Sequence, residues 1–223
     1  MLQLHHVGKV YSVGAVRVPA LSDISLGVDK GEFVVLSGRS GAGKTTLLRL
    51  LYGDERPSEG EIEVAGLDVV TLRRREVPRL RRSIGIVFQD AKLLAGRTVF
   101  ENVAFVLRVL GASRGEITPR AFAALKAVGL SSRAQAYPAQ LSQGEAQRAS
   151  LARAIVKSPA LLLADEPTGN LDEEMAGEIL AVIKDIWMRG TTVFLATHQA
   201  QLAERLRRRT LTLREGRIVK DEG

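Results

Sequence analysis

The stretch from Phe33 to Gly53, FVVLSGRSGAGKTTLLRLLYG, decides the fold. It opens on FVVLS, an unbroken apolar run of strand length, which suits a strand buried on both faces. It closes on TLLRLL, where Leu47, Leu48, Leu50 and Leu51 recur at helical spacing and Gly53 supplies a stop. Between them Gly38 to Thr45, GRSGAGKT, matches G-x-x-x-x-G-K-[ST] in the strand, loop, helix setting that the motif requires. The chemistry follows from the residue types. Glycines let the backbone amides of Gly38, Arg39, Ser40, Gly41, Ala42 and Gly43 turn inward on phosphates, Lys44 adds a cation for the terminal ones, and Thr45, followed by Thr46, brings a hydroxyl for the accompanying magnesium ion. The competing reading is a glycine-rich turn with a surface lysine.

Outward from this unit, the N-terminal LQLHHVGKVY and ALSDISLGVDKGE alternate apolar and polar residues around an Asp-Lys-Gly turn, as half-buried antiparallel strands do. PSEGEIEVAG gives a turn and a strand, and SIGIVFQ a second buried strand. From Thr98 to Pro159 the pattern is helical: TVFENVAFVLRVLG ends at Gly111, and TPRAFAALKAVGL is expected to begin on a Thr118 cap with Pro119 in its first turn. Then come ALLLAD, a helix from Glu173 to Arg189, the strand TTVFLAT, a short helix, and a hairpin TLTLREGRIV turning at Glu215 and Gly216. Strands alternating with helices on both sides of an all-helical block imply an α/β fold: a parallel core, an antiparallel β subdomain and a helical subdomain spanning roughly 90–159, all in one domain, 1–223.

Composition bounds the function. At 223 residues, 45% hydrophobic and 26% charged, the chain is neither disordered nor collagen-like. Its best apolar run, TVFENVAFVLRVLG, is broken by Glu101, Asn102 and Arg108, so no segment is expected to span a bilayer. The opening residues lack the features of a secretory signal, which points to the cytosol. With no cysteine there is no disulfide framework and no thiolate metal site. The net charge of +7 is concentrated in Arg73 to Arg82 and Glu204 to Arg209. Such runs are either solvated helix faces or an attraction for anions, and aromatics at 4% leave little for stacking on single-stranded nucleic acid.

Phosphate chemistry also needs a metal carboxylate and a group to orient water. LLLADEP ends a buried strand on Asp165, placed to hold Mg²⁺, and Glu166, which either activates the attacking water or merely starts a helix. Ser142 and Gly144 precede the helix GEAQRASLARAIVKS, so a hydroxyl, amides and a helix dipole converge; an ordinary N-cap explains them equally well. His198 ends TTVFLAT and is either a structural histidine or a proton-handling group. Tyr11 is a strand aromatic, His5 and His6 surface residues.

Taken together and in order, these motifs resemble the ABC ATPases over the whole chain. LSQGEAQR (Leu141 to Arg148) resembles the family's signature, Gln89 its Q-loop glutamine, Asp172 in GNLD its D-loop and His198 its switch histidine. The resemblance implies a P-loop NTPase core, ATP and Mg²⁺ as ligands, and ATP hydrolysis. It implies Tyr11 under adenine, Gly38 to Thr46 around the phosphates, Thr45, Gln89 and Asp165 at the metal, and Glu166, His198 and Gln89 as catalytic residues. Two identical subunits are expected to pair head to tail, with Ser142, Gln143, Gly144 and Glu145 of one closing the γ-phosphate held by Lys44 of the other, and Asp172 at the dimer contact. Gln143 departs from the glycine more usual there: it either crowds the phosphate or faces solvent. LSQGE and His198 exclude a P-loop kinase, which has no use for them.

Within the family, FQDAKLLAGRTVFENVAF and LLLADEPTGNLD look most like the cell-division branch, with lipoprotein-releasing and macrolide-efflux ATPases as relatives. By that resemblance residues 90–110 meet an FtsX-like integral membrane partner at the cytoplasmic face of the plasma membrane, using Leu93, Leu94, Val99 and Phe100, with Leu93 and Leu94 alternatively core residues of the helical subdomain. A nucleic-acid-linked soluble ATPase is the distant alternative. Such proteins carry two ATPase domains or a long coiled coil, and no nucleic acid partner is expected.

Overall fold

The computed structural model describes residues 1–199 and 206–223. The short helix expected after Thr197, and Glu204 and Arg205 of the second basic run, lie outside the described residues.

Strands β1 (Leu2–Val13) and β2 (Val16–Val28) form a long antiparallel hairpin, joined after β3 (Phe33–Ser37) and α1 (Lys44–Leu51) by β4 (Glu59–Val64) and β5 (Leu67–Asp68). The order of this sheet is β2-β1-β4-β5. Helix α2 (Val77–Ser83) leads into β6 (Ile84–Val87), then α3 (Val99–Val109), α4 (Arg114–Ala127) and α5 (Gln143–Ile155) follow without a strand. The chain re-enters the second sheet with β7 (Leu161–Asp165), crosses by α6 (Glu173–Met188) to β8 (Thr192–Thr197), and ends in the hairpin of β9 (Arg209–Arg214) and β10 (Arg217–Glu222). That sheet runs β10-β9-β3-β8-β7-β6, parallel throughout except for β10.

The unbroken apolar strands serve two cores because side chains alternate across a sheet. Val34 and Leu36 of β3, Leu161 and Leu163 of β7, and Phe194 and Ala196 of β8 face the antiparallel sheet, with Leu47, Leu48, Leu50 and Leu51 of α1 between. Phe33 and Val35, Leu162 and Ala164, and Val193 and Leu195 face the other way, into a core built with α3, α4, α5 and α6. The helical block therefore shares its core with one face of the parallel sheet.

Two expectations are corrected. Helix α4 starts on Ser113, whose amide and hydroxyl both donate to the Glu116 carboxylate, and not on Thr118; Pro119 lies inside the helix. A proline is tolerated there because the carbonyl it deprives of a donor, that of Gly115, is at an exposed residue and open to water. Val99, expected on a docking surface, is fully buried as the first residue of α3, and Leu93 and Phe100 pack against the helical core. Leu94 is exposed. The loop before α3 is shaped by the fully buried Asn102, which accepts from the Leu94 amide at 2.7 Å and donates to the carbonyls of Leu94, Arg97 and Thr98.

Candidate active site

The glycine loop lies at the carboxyl end of β3, beside the ends of β7 and β8. Gly41 and Gly43 have φ of 80° and 109°, in the left-handed region that favours glycine. At Gly43 a side chain is doubly excluded, since a Cβ would lie 2.6 Å from the Ala20 carbonyl oxygen. Gly43 is the N-cap of α1 and gives it no side-chain cap, so the first-turn amides of that helix stay open to an anion. The loop is propped from outside: Gly38 donates to the Thr197 carbonyl at 3.2 Å, and Gly216 in the β9–β10 turn donates to the Ala42 carbonyl at 3.0 Å. The family match assigned no part to Gly216, because the contact joins residues far apart in sequence.

Lys44 is buried and folds back on its own loop. Its Nζ donates to the carbonyls of Gly38 at 2.7 Å and Arg39 at 3.2 Å, and sits 3.2 Å from Glu166 Oε1. Glu166, also buried, has a φ of 47° just beyond β7, a conformation rarely adopted by residues with a side chain. It is held there by its own N–H, which donates to the Ala196 carbonyl. Its Oε2 accepts from the His198 amide at 3.1 Å and lies 2.8 Å from His198 Nδ1. An ionised carboxylate only accepts, so that ring nitrogen carries the proton. Lys44, Glu166 and His198, read from three separate motifs, form one connected row. The alternative of Glu166 as a helix-entry residue does not hold: Gly169 donates back to its carbonyl in a turn, and α6 begins later, at Glu173.

Asp165 Oδ1 is buried and has no hydrogen-bond partner among the described residues. Burial raises its carboxyl above the usual range, against a hydrogen bond from Thr45, with the negative charge of Glu166 adding to the rise. A buried acceptor left unpaired beside a threonine hydroxyl fits a divalent cation. Among the described residues no group of three or more carboxylate, histidine or cysteine side chains gathers to hold a metal alone. The arrangement suits Mg²⁺, which takes one or two protein oxygens and completes its shell with phosphate and water. Gln89 is exposed just beyond β6 and lines, with Thr45, Arg49, Tyr52 and Asp165, a cleft of about 430 Å³.

The remaining expected site residues lie further off. Ser142 caps α5: its hydroxyl accepts from the Glu145 amide at 3.1 Å while the Glu145 carboxylate accepts from the Ser142 amide at 2.9 Å. Arg133 binds that carboxylate at 2.8 Å, and these contacts, the Ser142 amide first, hold it below its usual range. The cap uses a lone pair of Ser142 and leaves its O–H hydrogen free to donate. Gly144 is buried, and a Cβ there would lie 2.8 Å from Met175 Sδ of α6, so its smallness is also a packing requirement. Gln143 is exposed and lines a groove with Gln89 and Asn170 of the same chain. Asp172 caps α6, accepting from the Met175 amide. Tyr11 lies on β1 opposite Val18, with the Lys9 ammonium 4.8 Å from its ring centre; β2 is the strand that touches the loop, through Ala20 and Leu21.

Sequence reading missed Gln147 and Arg153. Gln147 is buried in α5 and donates to the Phe88 carbonyl at 3.0 Å; Arg153 donates to the carbonyls of Ala91 and Lys92. A glutamine among buried Gly144, Ala149, Ser150 and Leu151 was a usable signal, since buried polar side chains need a partner.

Comparison with known proteins agrees with this geometry. The sequence profile described as ABC transporter matches residues 21–169. The cell division ATP-binding protein FtsE of Escherichia coli K12 is 48% identical over 218 residues, covering 98% of this chain and 97% of that protein. FtsE of Streptococcus pneumoniae D39 is 43% identical over 222 residues, 100% of this chain and 95% of the relative. A solved dimeric ATP-binding cassette in a post-hydrolysis state, bound to ADP and Pi, superposes with a TM-score of 0.90 at 34% identity, over 100% of this chain and 98% of that one. With the phosphate loop, the paired carboxylates and the signature helix all in place on that fold, the chain belongs to the ABC transporter family, as one of its ATPases.

Proposed function

We propose that this chain is the ATP-hydrolysing subunit of an FtsEX-type complex, in which nucleotide-driven closure of two copies acts on an FtsX-like membrane partner during cell division. Full-length relatedness to proteins named FtsE supports the cell-division reading over lipoprotein release or macrolide efflux. One structural observation carries the chemistry: the Glu166 carboxylate at the end of β7, between Lys44 and His198 and next to the Asp165 oxygen that has no partner among the described residues.

Each group has a task that its position suits. The amides of Gly38 to Gly43 and the Lys44 ammonium bind the phosphates, which displace Lys44 from the carbonyls of Gly38 and Arg39. Thr45 and Asp165, with Gln89 across the cleft, would hold Mg²⁺, which neutralises phosphate charge when bound. Freed from Lys44, Glu166 orients and deprotonates water, and His198 keeps the carboxylate in place through two hydrogen bonds. Tyr11 stacks on the base. Ser142, Gln143, Gly144 and Glu145 approach the γ-phosphate from the second subunit, and Asp172 lies at the dimer contact. A donor supplied in trans makes hydrolysis depend on closure.

Residues 90–110 of the single domain 1–223 contact the membrane partner, and through it the subunit sits at the cytoplasmic face of the plasma membrane. Among the described residues no helix is long and apolar enough to cross a membrane. The exposed apolar side chains Leu94, Phe105 and Val109 support this docking segment.

Glu166→Gln tests the chemistry. It keeps size and hydrogen bonds but not the base, so ATP binding persists, turnover stops and ATP-bound dimers accumulate on size exclusion. Hydrolysis near the wild-type rate would remove Glu166 from this role.

A further inference from the structure

Between Thr71 and Ser83 the chain carries six arginines, one glutamate and no lysine. Arg81 is accounted for by the fold, since its guanidinium donates to the Tyr52 and Gly53 carbonyls and to Asp54 Oδ1. Arg73, Arg74, Arg75, Arg79 and Arg82 are all exposed, and among the described residues none of them makes an ion pair. By contrast Arg133, Arg148 and Arg209 each pair with a carboxylate. The one acid of the run, Glu76, turns its carboxylate onto the Arg73 amide.

The backbone under these side chains is fixed without them. Leu80 is fully buried against the core of the antiparallel sheet, the Lys157 ammonium donates to the Arg81 carbonyl, and the Ala160 amide donates to the Ser83 carbonyl. Five like charges gathered on one short stretch repel one another unless an anion comes among them. Guanidinium in place of ammonium throughout suits phosphate, which it meets with parallel donors.

Position says which phosphate. Beyond Arg81 a groove of about 350 Å³ separates α2 from α3, lined by Lys92, Arg153 and Lys157 and bounded by Val106. One turn along α3 Val109 is exposed, as is Phe105. The arginines therefore border the segment assigned to the membrane partner, and a face cationic on one side and apolar on the other suits a bilayer interface. A nucleic acid gains nothing from the apolar part, and no aromatic side chain lies between Thr71 and Ser83 to stack on an unpaired base.

We propose that Arg73, Arg74, Arg75, Arg79 and Arg82 bind the phosphate headgroups of an anionic bilayer, so that lipid holds the subunit beside its docking segment. The place of the patch rests on the docking reading given above, but its test needs no partner. The full chain is sedimented with vesicles of phosphatidylglycerol and phosphatidylcholine in equal parts, or of phosphatidylcholine alone. It binds the anionic vesicles only, and releases them as sodium chloride is raised to about 1 M. Arg73→Gln, Arg74→Gln and Arg75→Gln together weaken binding about a hundredfold, on the order of fivefold for each arginine near the surface. ATP hydrolysis and Tm are not lowered, because those side chains hold no part of the fold. Arg114→Gln, Lys126→Gln and Lys184→Gln remove the same charge from exposed sites on α4 and α6 and leave binding nearly unchanged.

Equal affinity for neutral vesicles, an equal loss in both triple variants, or no loss in the first overturns the proposal. So does tighter binding to duplex DNA than to anionic vesicles at equal accessible phosphate, which assigns the patch to nucleic acid. A failure of vesicle binding leaves recovery of the partner through Leu94 untouched, so the lipid contact and the docking reading fail separately.

Discussion

Replacing Asp165 with Asn should make the nucleotide-free protein more stable while destroying its use of metal. Asp165 Oδ1 is buried without a partner among the described residues, and burial is the largest cause raising its carboxyl above the usual range. The ionised form is therefore disfavoured in the folded chain. The asparagine keeps an acceptor for Thr45 and removes the charge. Leaving a buried acceptor unpaired costs about 1–3 kcal/mol, and the new amide recovers only part of this, so the gain is on the order of 1 kcal/mol. With an unfolding entropy of ~2 cal/mol/K per residue, a chain of 223 residues gains about 2 °C in Tm. The pH dependence fixes the sign. A carboxyl whose folded pKa is raised binds its proton more tightly in the native state, so the wild type loses relative stability as pH rises through that folded pKa. The advantage of Asp165→Asn is thus present near neutrality and disappears in acid, where Asp165 is protonated. Thermal unfolding in EDTA across this range measures it, and a second series with ATP and Mg²⁺ should show ligand stabilisation in the wild type only. A lower Tm for the variant at neutral pH, or a difference that does not change with pH, refutes the account of Asp165 as an ionised and unsatisfied oxygen.

Two further outcomes follow from other parts of the molecule. Burial depresses the Lys157 ammonium from 10.5 to about 8, so the unfolded chain binds the extra proton between those values and wild-type stability rises with pH across that window; Lys157→Met should abolish the rise in denaturant titrations, and an unchanged slope would contradict the desolvation. Leu94→Asp changes an exposed side chain whose backbone is anchored by Asn102, so stability should shift by no more than about 0.5 kcal/mol, while recovery of the membrane partner from detergent extracts is lost; undiminished recovery would take Leu94 out of the docking surface.

The parallel core and the phosphate loop were legible because they depend on local signals. A run such as FVVLS is apolar at every position only if both faces are covered, and the loop glycines are needed for backbone geometry that no other residue adopts cheaply. The start of α4 was misread because two start signals compete within six residues. The Glu116 carboxylate accepts from both the amide and the hydroxyl of Ser113, whereas Pro119 merely tolerates a helical φ. Val99 was misplaced because an apolar residue beside an interface and one in a core look alike in sequence, and only the packing of α3 separates them. The site residues were legible as motifs, while their contacts were not. Arg153 looked like one more charge on a helix, and its two carbonyl partners lie about sixty positions upstream.

The row of Lys44, Glu166 and His198 has a consequence for the resting enzyme. Without nucleotide the cation that should bind phosphate and the carboxylate that should activate water satisfy one another across 3.2 Å, in a region where both are nearly excluded from solvent. A buried ion pair loses much when one partner leaves, because the other charge is then stranded. ATP resolves this from both sides. Its phosphates give Lys44 a stronger anionic partner than a single carboxylate, and the water and second subunit that arrive with closure give Glu166 new neighbours. On the roles proposed above for Lys44, Glu166 and the second subunit, hydrolysis by an open subunit would be suppressed twice: donors are missing from one side of the phosphate, and the carboxylate is paired with Lys44 unless the loop is filled. The strained φ of Glu166 holds the carboxylate at the end of β7 where it reaches Lys44, and on the proposed role would leave it within reach of an attacking water once Lys44 turns to phosphate. His198, bonded to Glu166 through both backbone amide and ring, keeps that position fixed as Lys44 departs, which is a task for a histidine on a strand end and needs no proton transfer by the ring.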